Sequence, residues 1–375
     1  MKRLSIIRYI SILFAYIITA PFPIKCKKYL FISMSGNSYG GSPKAFSDYI
    51  KEKEFERVWA FSSHYSDYPR NVRACKLYSI KYYIHLFTCK AIISDQRLYK
   101  PMLPFKRKGQ LYIQTWHGTP LKKIEADMPS LSSKYEKSAI RDSKLTDVTI
   151  SGSNYMTKIF KNSFWYNCPI IEIGTPKNDV FFREENRAVK EKVHKCLGIP
   201  SKHKIVLYAP TFRGQDSLDV YTISPTATLR ALGSDEEWDF VLRLHPNLMS
   251  DTNKKCIKEK FPGTIDATTY PDMQELLLSA DIFITDYSSA MFDFMYLYRP
   301  CFIYATDIQS YDRGFYFSMN NLPFPIASSM DELEKVIKNF SIITYKNNLE
   351  TFIHSLGSFE KGTSCNSLYN YIQKL

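Results

Sequence analysis

Short runs of β-branched and aromatic residues alternate with helical stretches along most of this 375-residue chain. Strands interleaved with helices predict parallel sheets that are covered by helices on both faces. The runs form two series, so we predict an α/β chain with two Rossmann-like halves that face a cleft. The predicted strands are residues 29–33, 58–61, 91–94, 111–114, 148–150 and 170–173 in the first series, and 205–209, 239–243, 265–267, 282–285 and 301–304 in the second.

A charged stretch separates the two series. Residues 183–195 have the composition of a charged helix, and the polar residues 201–204 follow it. This break predicts a domain boundary near residue 185. We therefore expect an N-terminal segment over residues 1–27, a first domain over 28–185 and a second domain over 186–375.

The charge of the chain indicates an anionic partner. Lys and Arg number 50 against 37 Asp and Glu, a formal net charge of +13, which suits nucleic acid, phospholipid headgroups or a phosphorylated substrate. The lysines are dispersed and we find no nucleic-acid-binding motif, so we expect no nucleic-acid partner. The cysteines form no Cys-x-x-Cys pair and the chain has no Asp-x-Asp. We therefore expect no metal site and no cofactor, and a reducing compartment.

The N-terminus needs separate treatment, because residues 1–20 resemble a signal peptide. Pro21, Pro23 and the lysines that follow argue against cleavage. The apolar span after Arg8 is short for a bilayer, which needs about 20 residues. We predict a helix that lies in the membrane interface, and the alternatives are a true span and a buried core helix.

The end of the fourth predicted strand concentrates groups suited to anion chemistry. His117, Gly118 and Thr119 follow this strand, and Lys122 and Lys123 lie just beyond. Histidine titrates near neutral pH, and glycine leaves the backbone open to a ligand. We expect the two lysines to lower the pKa of His117, which keeps the imidazole neutral at pH 7. The alternative is a buried turn with solvent-facing lysines.

Polar side chains also follow three strands of the second series. Ligands of doubly wound sheets bind beyond the carboxyl ends of the strands. Arginines and serines there can bind phosphate, and a carboxylate one helical turn later can bind a ribose hydroxyl. Each residue alone also has a structural explanation such as a helix cap, but the set favours a ligand site. These residues are Thr211, Arg213, Arg243, His245, Ser288, Ser289 and Asp293.

Six motifs stand in order along the chain. They are residues 116–122 (WHGTPLK), 174–179 (GTPKND), 208–213 (YAPTFR), 243–246 (RLHP), 285–293 (TDYSSAMFD) with 299–304 (RPCFIY), and 311–317 (YDRGFYF). Together they resemble the CDP-glycerol glycerophosphotransferase family, the teichoic-acid primases and polymerases and their capsule-forming relatives. The resemblance covers residues 28–372, and residues 360–365 depart from the family's pattern near the C-terminus.

This resemblance implies a GT-B arrangement, peripheral (monotopic) attachment to the cytoplasmic face of the membrane, and release of CMP from a CDP-activated donor. It makes residues 28–185 the acceptor domain and residues 186–375 the donor-binding domain, with a closing C-terminal tail. His117 and His245 are then the two important histidines. The implied acceptor-side residues are Ser35, Gly36, Asn37 and Ser38, and the implied donor-binding residues are Gly118, Thr119, Pro120, Leu121, Asn178, Thr211, Arg213, Arg243, Ser288, Ser289 and Asp293.

The leading interpretation is transfer of glycerol phosphate from CDP-glycerol to a hydroxyl of a membrane-linked acceptor, in teichoic-acid or capsule polymer synthesis. We expect His117 to act as general base and His245 to stabilise charge, with the two roles open to exchange. The acceptor is a lipid-linked saccharide or a polyol-phosphate chain. The alternatives are a CDP-ribitol-dependent transferase, a GT-B glycosyltransferase that uses a nucleotide sugar, a nucleic-acid binder and a structural membrane protein.

Overall fold

The computed structural model describes residues 2–62, 68–70, 72–98, 104–184, 186–213, 218–245, 248, 257–308 and 314–375, with only the backbone for residues 2–5. Contacts within the chain divide it into two compact units. Unit 1 consists of Met1–His117, Ile124–Phe182 and Gly357–Leu375, and unit 2 of Gly118–Lys123 and Arg183–Leu356. The last residues of the chain therefore pack with the N-terminal unit, and the domain bounds proposed above stay predictions.

Unit 1 is built on a seven-stranded sheet. Its strands are β1 (Lys25–Ile32), β2 (Glu56–Phe61), β3 (Arg73–Lys76), β4 (Cys89–Ser94), β5 (Leu111–Gln114), β6 (Val148–Ser151) and β7 (Ile170–Glu172). They lie in the order β3-β2-β1-β4-β5-β6-β7 and pair in parallel. The chain changes direction across the sheet between β1 and β4, which is where doubly wound sheets bind ligands.

The sheet of unit 1 is buried on both faces, as the apolar runs predict. Along β1, Leu30 and Ile32 pack in one hydrophobic cluster, whereas Tyr29 and Phe31 pack in another. Successive side chains of a strand point to opposite faces, so one continuous apolar run supplies both cores.

Unit 2 contains a second parallel sheet, with six strands. Its strands are β8 (Lys204–Tyr208), β9 (Trp238–Leu242), β10 (Ile265–Asp266), β11 (Ile282–Thr285), β12 (Cys301–Tyr304) and β13 (Ile326–Ala327). Their order is β10-β9-β8-β11-β12-β13, and the change of direction falls between β8 and β11. Each unit thus has its own doubly wound sheet with its own switch point.

Helices flank both sheets, and serine or aspartate side chains cap several of them. Ser79, Ser132, Ser153, Ser224 and Ser329 each accept a backbone N–H of the following first turn, as preferred N-cap residues do. The helices are α1 (Lys2–Thr19), α2 (Gly41–Tyr49), α3 (Ile80–Thr88), α4 (Ser133–Leu145), α5 (Asn154–Ser163), α6 (Asn186–Leu197), α7 (Pro225–Leu232), α8 (Met273–Ser279), α9 (Ala290–Phe294), α10 (Met330–Lys338), α11 (Ile342–Leu356) and α12 (Ser364–Gln373).

The N-terminal helix α1 docks on unit 1 through one side. Ile12 and Ala15 are buried in the cluster that α3 also lines. Arg107 donates hydrogen bonds to the carbonyls of Thr19, Ala20 and Phe22, at the C-terminal end of α1. In the part of the chain that the structure describes, no helix is long and apolar enough to cross a membrane.

The structure adds elements that the apolar pattern missed. Strand β3 and helix α3 were not predicted, nor was the two-residue strand β13. Helix α2 follows the loop after β1 and runs over Gly41–Tyr49. Helix α9 begins at Ala290, directly after the two candidate serines, and the 3-10 turn Met295–Leu297 follows it.

Candidate functional site

Three neighbouring strands of unit 1 bring candidate residues together at their carboxyl ends. Strand β4 pairs with β1 on one side and with β5 on the other. The loop at residues 33–38 follows β1, Asp95 follows β4, and His117 lies three residues beyond β5. This edge includes the switch point between β1 and β4, so the fold places these residues where a ligand site is expected.

His117 is held both at its ring and at its backbone. Its Nδ1 lies 3.0 Å from the main-chain carbonyl of Asp95. A carbonyl only accepts, so the neutral ring carries its hydrogen on Nδ1 and its lone pair on Nε2. The ammonium of Lys177 donates to the carbonyl of His117 at 2.9 Å. The arrangement leaves Nε2 as the nitrogen that can accept a proton.

The protein around His117 lowers the pKa of its imidazole. Loss of hydration is the largest cause, the hydrogen bond to Asp95 opposes it, and the positive charge of Lys177 adds to it. The side chain keeps exposed surface, so water offsets part of this shift. The predicted direction of the pKa shift is thus confirmed, but the predicted cause is wrong, because loss of hydration is the largest cause and the cation that adds to it is Lys177 rather than Lys122 or Lys123.

A strained residue precedes His117. Trp116 has a φ of 54°, a left-handed conformation that a bulky side chain rarely adopts. Its N–H donates to the side-chain oxygen of Gln114 at 2.9 Å. Its ring meets Phe164 edge-to-face with centroids 4.7 Å apart. Packing and this hydrogen bond therefore hold the turn that presents His117.

The predicted acceptor-side residues lie in a tightly turned loop. Met34, Ser35 and Gly36 follow one another with φ values of 46°, 55° and 86°. The hydroxyl of Ser35 donates to Gln96 Oε1 at 2.9 Å. Asn37 Oδ1 accepts the hydroxyl of Ser62 at 2.5 Å. Ser38 bridges back to Ser33. Bonds within the loop and bonds to neighbouring residues therefore hold it in place, and acceptor binding stays a prediction.

The motif at residues 174–179 is clamped by the C-terminal tail. Both carboxylate oxygens of Glu360 accept the N–H of Thr175, each at 3.0 Å, and one also accepts the amide of Asn178 at 3.3 Å. Asp179 accepts the N–H groups of Ser364 and Cys365 at the start of α12. The tail segment that departs from the family's pattern thus holds this motif in place. Asn178 is buried, and its predicted donor contact is untested.

In unit 2, Asp286 joins the two strand ends at the switch point. Its carboxylate accepts the N–H of Thr211 at 2.9 Å and pairs with Arg213 at 2.7 Å. The guanidinium of Arg213 also pairs with Asp307 at 2.9 Å. Burial opposes the charge on Arg213, but the two carboxylates outweigh it and raise the pKa of Arg213. Arg213 is thus already neutralised in this structure, which weakens its predicted role as a phosphate ligand.

Arg243 has a different environment. Its guanidinium donates to the carbonyl of Tyr270 at 2.6 Å, and among the described residues it forms no ion pair with a carboxylate. Burial lowers the pKa of Arg243 to about 10, although Asp272 opposes the shift. A cation that donates to carbonyl groups, with no carboxylate paired to it among the described residues, is better suited to an incoming phosphate than one paired with two carboxylates.

His245 lies beside this arginine. Its ring packs on Phe212 with centroids 5.2 Å apart. Burial lowers the pKa of His245, and the charge of Arg243 lowers it further. Pro246, which completes the motif at residues 243–246, lies outside the described residues, as do Tyr311, Asp312 and Arg313 of the motif at residues 311–317.

The two serines before α9 differ in their hydrogen bonds. Ser288 Oγ accepts the N–H of Ala290 at 3.2 Å. Ser288 therefore bonds to the start of the helix, as the alternative explanation of a helix cap predicts. Ser289 occupies the N-cap position, and its side chain makes no capping hydrogen bond. Asp293 is buried and accepts the amide of Gln274 at 3.1 Å. Phosphate and ribose binding by these residues stay predictions.

The segment from Gly118 to Leu121 belongs to unit 2 by its contacts. The carbonyl of Leu121 accepts the N–H of Tyr316 at 2.9 Å, and Lys122 bridges to Phe315. Thr119 and Pro120 lie between these fixed points, so the segment has a defined path, and its donor contacts are untested.

Several residues that hold these sites were not among the candidates. Asp95 directly follows the predicted strand at residues 91–94, so the strand-end rule could have found it. Lys177 and Asp286 lie inside motifs that were recognised. Glu360 contacts Thr175 across 185 residues, and no local sequence pattern predicts that pairing. Across the described residues, no cluster of three or more His, Cys, Asp or Glu could hold a metal ion.

Comparison with known proteins adds a family and close relatives. The model of the CDP-glycerol:poly(glycerophosphate) glycerophosphotransferase family matches residues 13–374. A teichoic acid poly(glycerol phosphate) polymerase of Staphylococcus epidermidis is 33% identical over 94% of this chain and 51% of its own length. A protein of the same description from Bacillus spizizenii is 30% identical over 96% of this chain and 95% of its own length. The chain thus spans about half of the first relative and nearly all of the second.

A solved structure agrees with these relatives. It is the wall teichoic acid polymerase TagF, from a crystal soaked with CDPG, and it matches with a TM-score of 0.84 at 29% identity. The match covers 100% of this chain and 95% of that one.

Proposed function

The chain belongs to the CDP-glycerol:poly(glycerophosphate) glycerophosphotransferase family, and we propose that it transfers glycerol phosphate from CDP-glycerol to a hydroxyl of a membrane-linked acceptor, in teichoic-acid or capsule polymer synthesis. The relatives described above support this reaction, since they are named as poly(glycerol phosphate) polymerases. The observation that carries the mechanism is the hydrogen bond between His117 Nδ1 and the Asp95 carbonyl.

In the proposed step, the acceptor oxygen attacks the phosphorus that bears glycerol. A bond forms between the acceptor oxygen and this phosphorus, and the bond from phosphorus to the oxygen of the CMP phosphate breaks. His117 Nε2 takes the proton of the attacking hydroxyl, and CMP leaves with the electron pair of the broken bond. A positioned general base contributes about 10²–10⁴-fold to the rate of such a step.

Charge on the departing CMP needs stabilisation by cations and hydrogen-bond donors. We assign this role first to Arg243, because its guanidinium is not paired with a carboxylate among the described residues, and second to His245 beside it. Ser288, Ser289 and the N–H groups at the start of α9 bind the donor's phosphates. Asp293 binds the ribose, and Arg213 orders the loop that carries Thr211.

Attachment of the enzyme to the membrane, which we propose to be at the cytoplasmic face, is supported by the exposed apolar surface of α1. One side of this helix is docked on unit 1, and seven of its other apolar side chains are each more than half exposed. Apolar helices that lie in the interface bind lipid through such surfaces. These side chains are Ile6, Ile7, Tyr9, Ile10, Leu13, Phe14 and Ile17.

The finer fold description, a GT-B arrangement, is also part of the proposal. It requires two doubly wound parallel sheets, and each unit supplies one of them. The acceptor is proposed to be a lipid-linked saccharide or a polyol-phosphate chain, with its hydroxyl on the side of the loop at residues 35–38.

The test is a donor and acceptor panel. The purified chain is incubated with CDP-glycerol, CDP-ribitol or a nucleotide sugar, each with lipid-linked acceptors, and both CMP release and product mass are measured. The proposal predicts CMP release and a product heavier by one or more glycerol phosphate units. A product heavier by ribitol phosphate or by a sugar would identify the alternative donor instead.

A further inference from the structure

Asp95 bonds both to the loop after β1 and to His117 after β5. Its side chain is 2% exposed. One carboxylate oxygen accepts the hydroxyl of Ser33 at 2.6 Å, and the other accepts the N–H of Met34 at 2.9 Å. Its main-chain carbonyl lies 3.0 Å from His117 Nδ1. The side chain of Asp95 thus bonds to the loop after β1, and its backbone bonds to His117.

The topology explains why one residue can do this. Strand β4 is the central member of three adjacent strands, between β1 and β5. Asp95 is the first residue beyond β4, so the residues that end both neighbouring strands lie within reach. The loop depends strongly on its contact with Asp95, because Met34 and Ser35 both have left-handed backbone conformations. Such conformations persist only where surrounding groups hold them.

The start of α2 is shaped around the same carboxylate. A Cβ atom on Gly41 would lie 2.8 Å from Asp95 Oδ2, closer than such atoms approach in real structures. Gly41 also has a φ of +64°, which favours glycine for a second reason. The loop, the first turn of α2 and Asp95 therefore form one packed unit.

We propose that Asp95 is a positioning residue that fixes the acceptor-side loop relative to Nε2 of His117. The inference rests on the proposed function for the role of the loop. Asp95 itself does not contact the substrate in this proposal. Its effect is to set the distance between the acceptor hydroxyl and the base, since a shift of about 1 Å at such a site can cost about 10²-fold in rate.

The main test compares three substitutions at the Asp95 network. Asp95→Ala removes both side-chain bonds and is expected to raise the acceptor KM about tenfold or more and to lower kcat, with the donor KM within about twofold of wild type. Asp95→Asn keeps an oxygen for the Met34 N–H, and the Ser33 hydroxyl can rotate to accept a hydrogen bond from the Asn amide nitrogen. This variant is therefore expected to have an acceptor KM close to that of the wild type. Ser33→Ala removes one bond and is expected to fall between them.

A matched control is Asp147→Ala. Asp147 also accepts a backbone N–H in unit 1, that of Tyr112 at 2.6 Å, but it lies at the opposite ends of the strands. It is expected to lower the melting temperature without a selective change in acceptor KM. Equal changes of donor and acceptor KM in Asp95→Ala, or no rescue by Asp95→Asn, would overturn the proposal.

A second readout does not depend on turnover. Hydrogen exchange of residues 33–38 and the ¹⁵N shifts of the His117 ring are measured in wild type, Asp95→Asn and Ser33→Ala. Faster loop exchange together with a mixed His117 tautomer is expected in Ser33→Ala and not in Asp95→Asn. Unchanged exchange and tautomer in Ser33→Ala would contradict the coupling, even if the wild type used a different donor. An inactive wild type with the expected exchange pattern would instead count against the proposed function alone.

Discussion

At the scale of single residues, Arg213 and Arg243 have similar positions in the sequence but different partners in the structure. Both follow strands, and both were predicted to bind phosphate. The structure separates them, because Arg213 is paired with Asp286 and Asp307, whereas Arg243 donates to backbone carbonyls. The partner Asp307 lies 94 residues away in the chain, so no local motif could reveal that Arg213 is already neutralised.

This difference predicts opposite consequences for two matched variants. Arg243→Gln is expected to raise the donor Kd about tenfold or more, because it removes a cation that pairs with no carboxylate among the described residues, and to change the melting temperature little, because the Gln amide can still donate to a carbonyl. Arg213→Gln is expected to destabilise unit 2 by about 3 kcal/mol, because it leaves two carboxylates unpaired. Calorimetric titration with CDP-glycerol and thermal unfolding measure the two effects. Equal loss of donor affinity in both variants, with equal stability, would contradict the assignment.

Lys177 gives a second prediction at this scale. Its positive charge lowers the pKa of His117, so Lys177→Met is expected to raise that pKa and to move the acid limb of the pH–rate profile to higher pH. The rate at low pH then falls, because more of the imidazole is protonated. Lys177→Arg keeps the charge and serves as the control. A limb that stays in place in Lys177→Met would show that this charge does not act on the base.

At the scale of elements, most strands could be predicted because buried parallel strands are continuous apolar runs. Strand β3 could not, since two of the four residues of Arg73–Lys76 are charged and only Cys75 is buried. It is an edge strand with one neighbour, β2, and needs less apolar surface. Strand β13 has two residues, too few for any periodicity.

Membrane binding through helix α1 can be tested by substitution of its exposed side chains. Deletion of residues 1–24 would uncover the part of the core that Ile12 and Ala15 cover, so substitution is the cleaner test. Changing Ile10, Leu13 and Ile17 to Ser is expected to release the protein from vesicles of acidic lipid while the melting temperature changes little, because these side chains are exposed. Ile12→Ser is the buried control and is expected to lower the melting temperature. Full vesicle binding by the triple variant would place the membrane contact elsewhere.

At the scale of the whole molecule, the candidate site was predictable to the extent that it follows from strand ends. The residues after β5, β8, β9 and β11 were selected from sequence because ligands of doubly wound sheets bind beyond those ends. The residues that hold them were largely missed. Asp95, Lys177 and Glu360 act through contacts between segments that are distant in the chain, and such contacts follow from the topology rather than from a local pattern.

The central claim is that His117 Nε2 accepts the proton of the acceptor hydroxyl, and the pH–rate profile of His117→Ala tests it most directly. In the wild type the rate is expected to rise with pH through a limb below the ordinary histidine pKa of about 6.5, because the protein lowers the pKa of His117. His117→Ala is expected to lose about 10²–10⁴-fold in kcat and to lose this limb, with a nearly unchanged donor Kd. His354→Ala, a change at an exposed histidine of α11, is the control and is expected to behave as wild type. Near-normal turnover in His117→Ala, or a limb that persists in it, would contradict the claim and leave His245 as the candidate base.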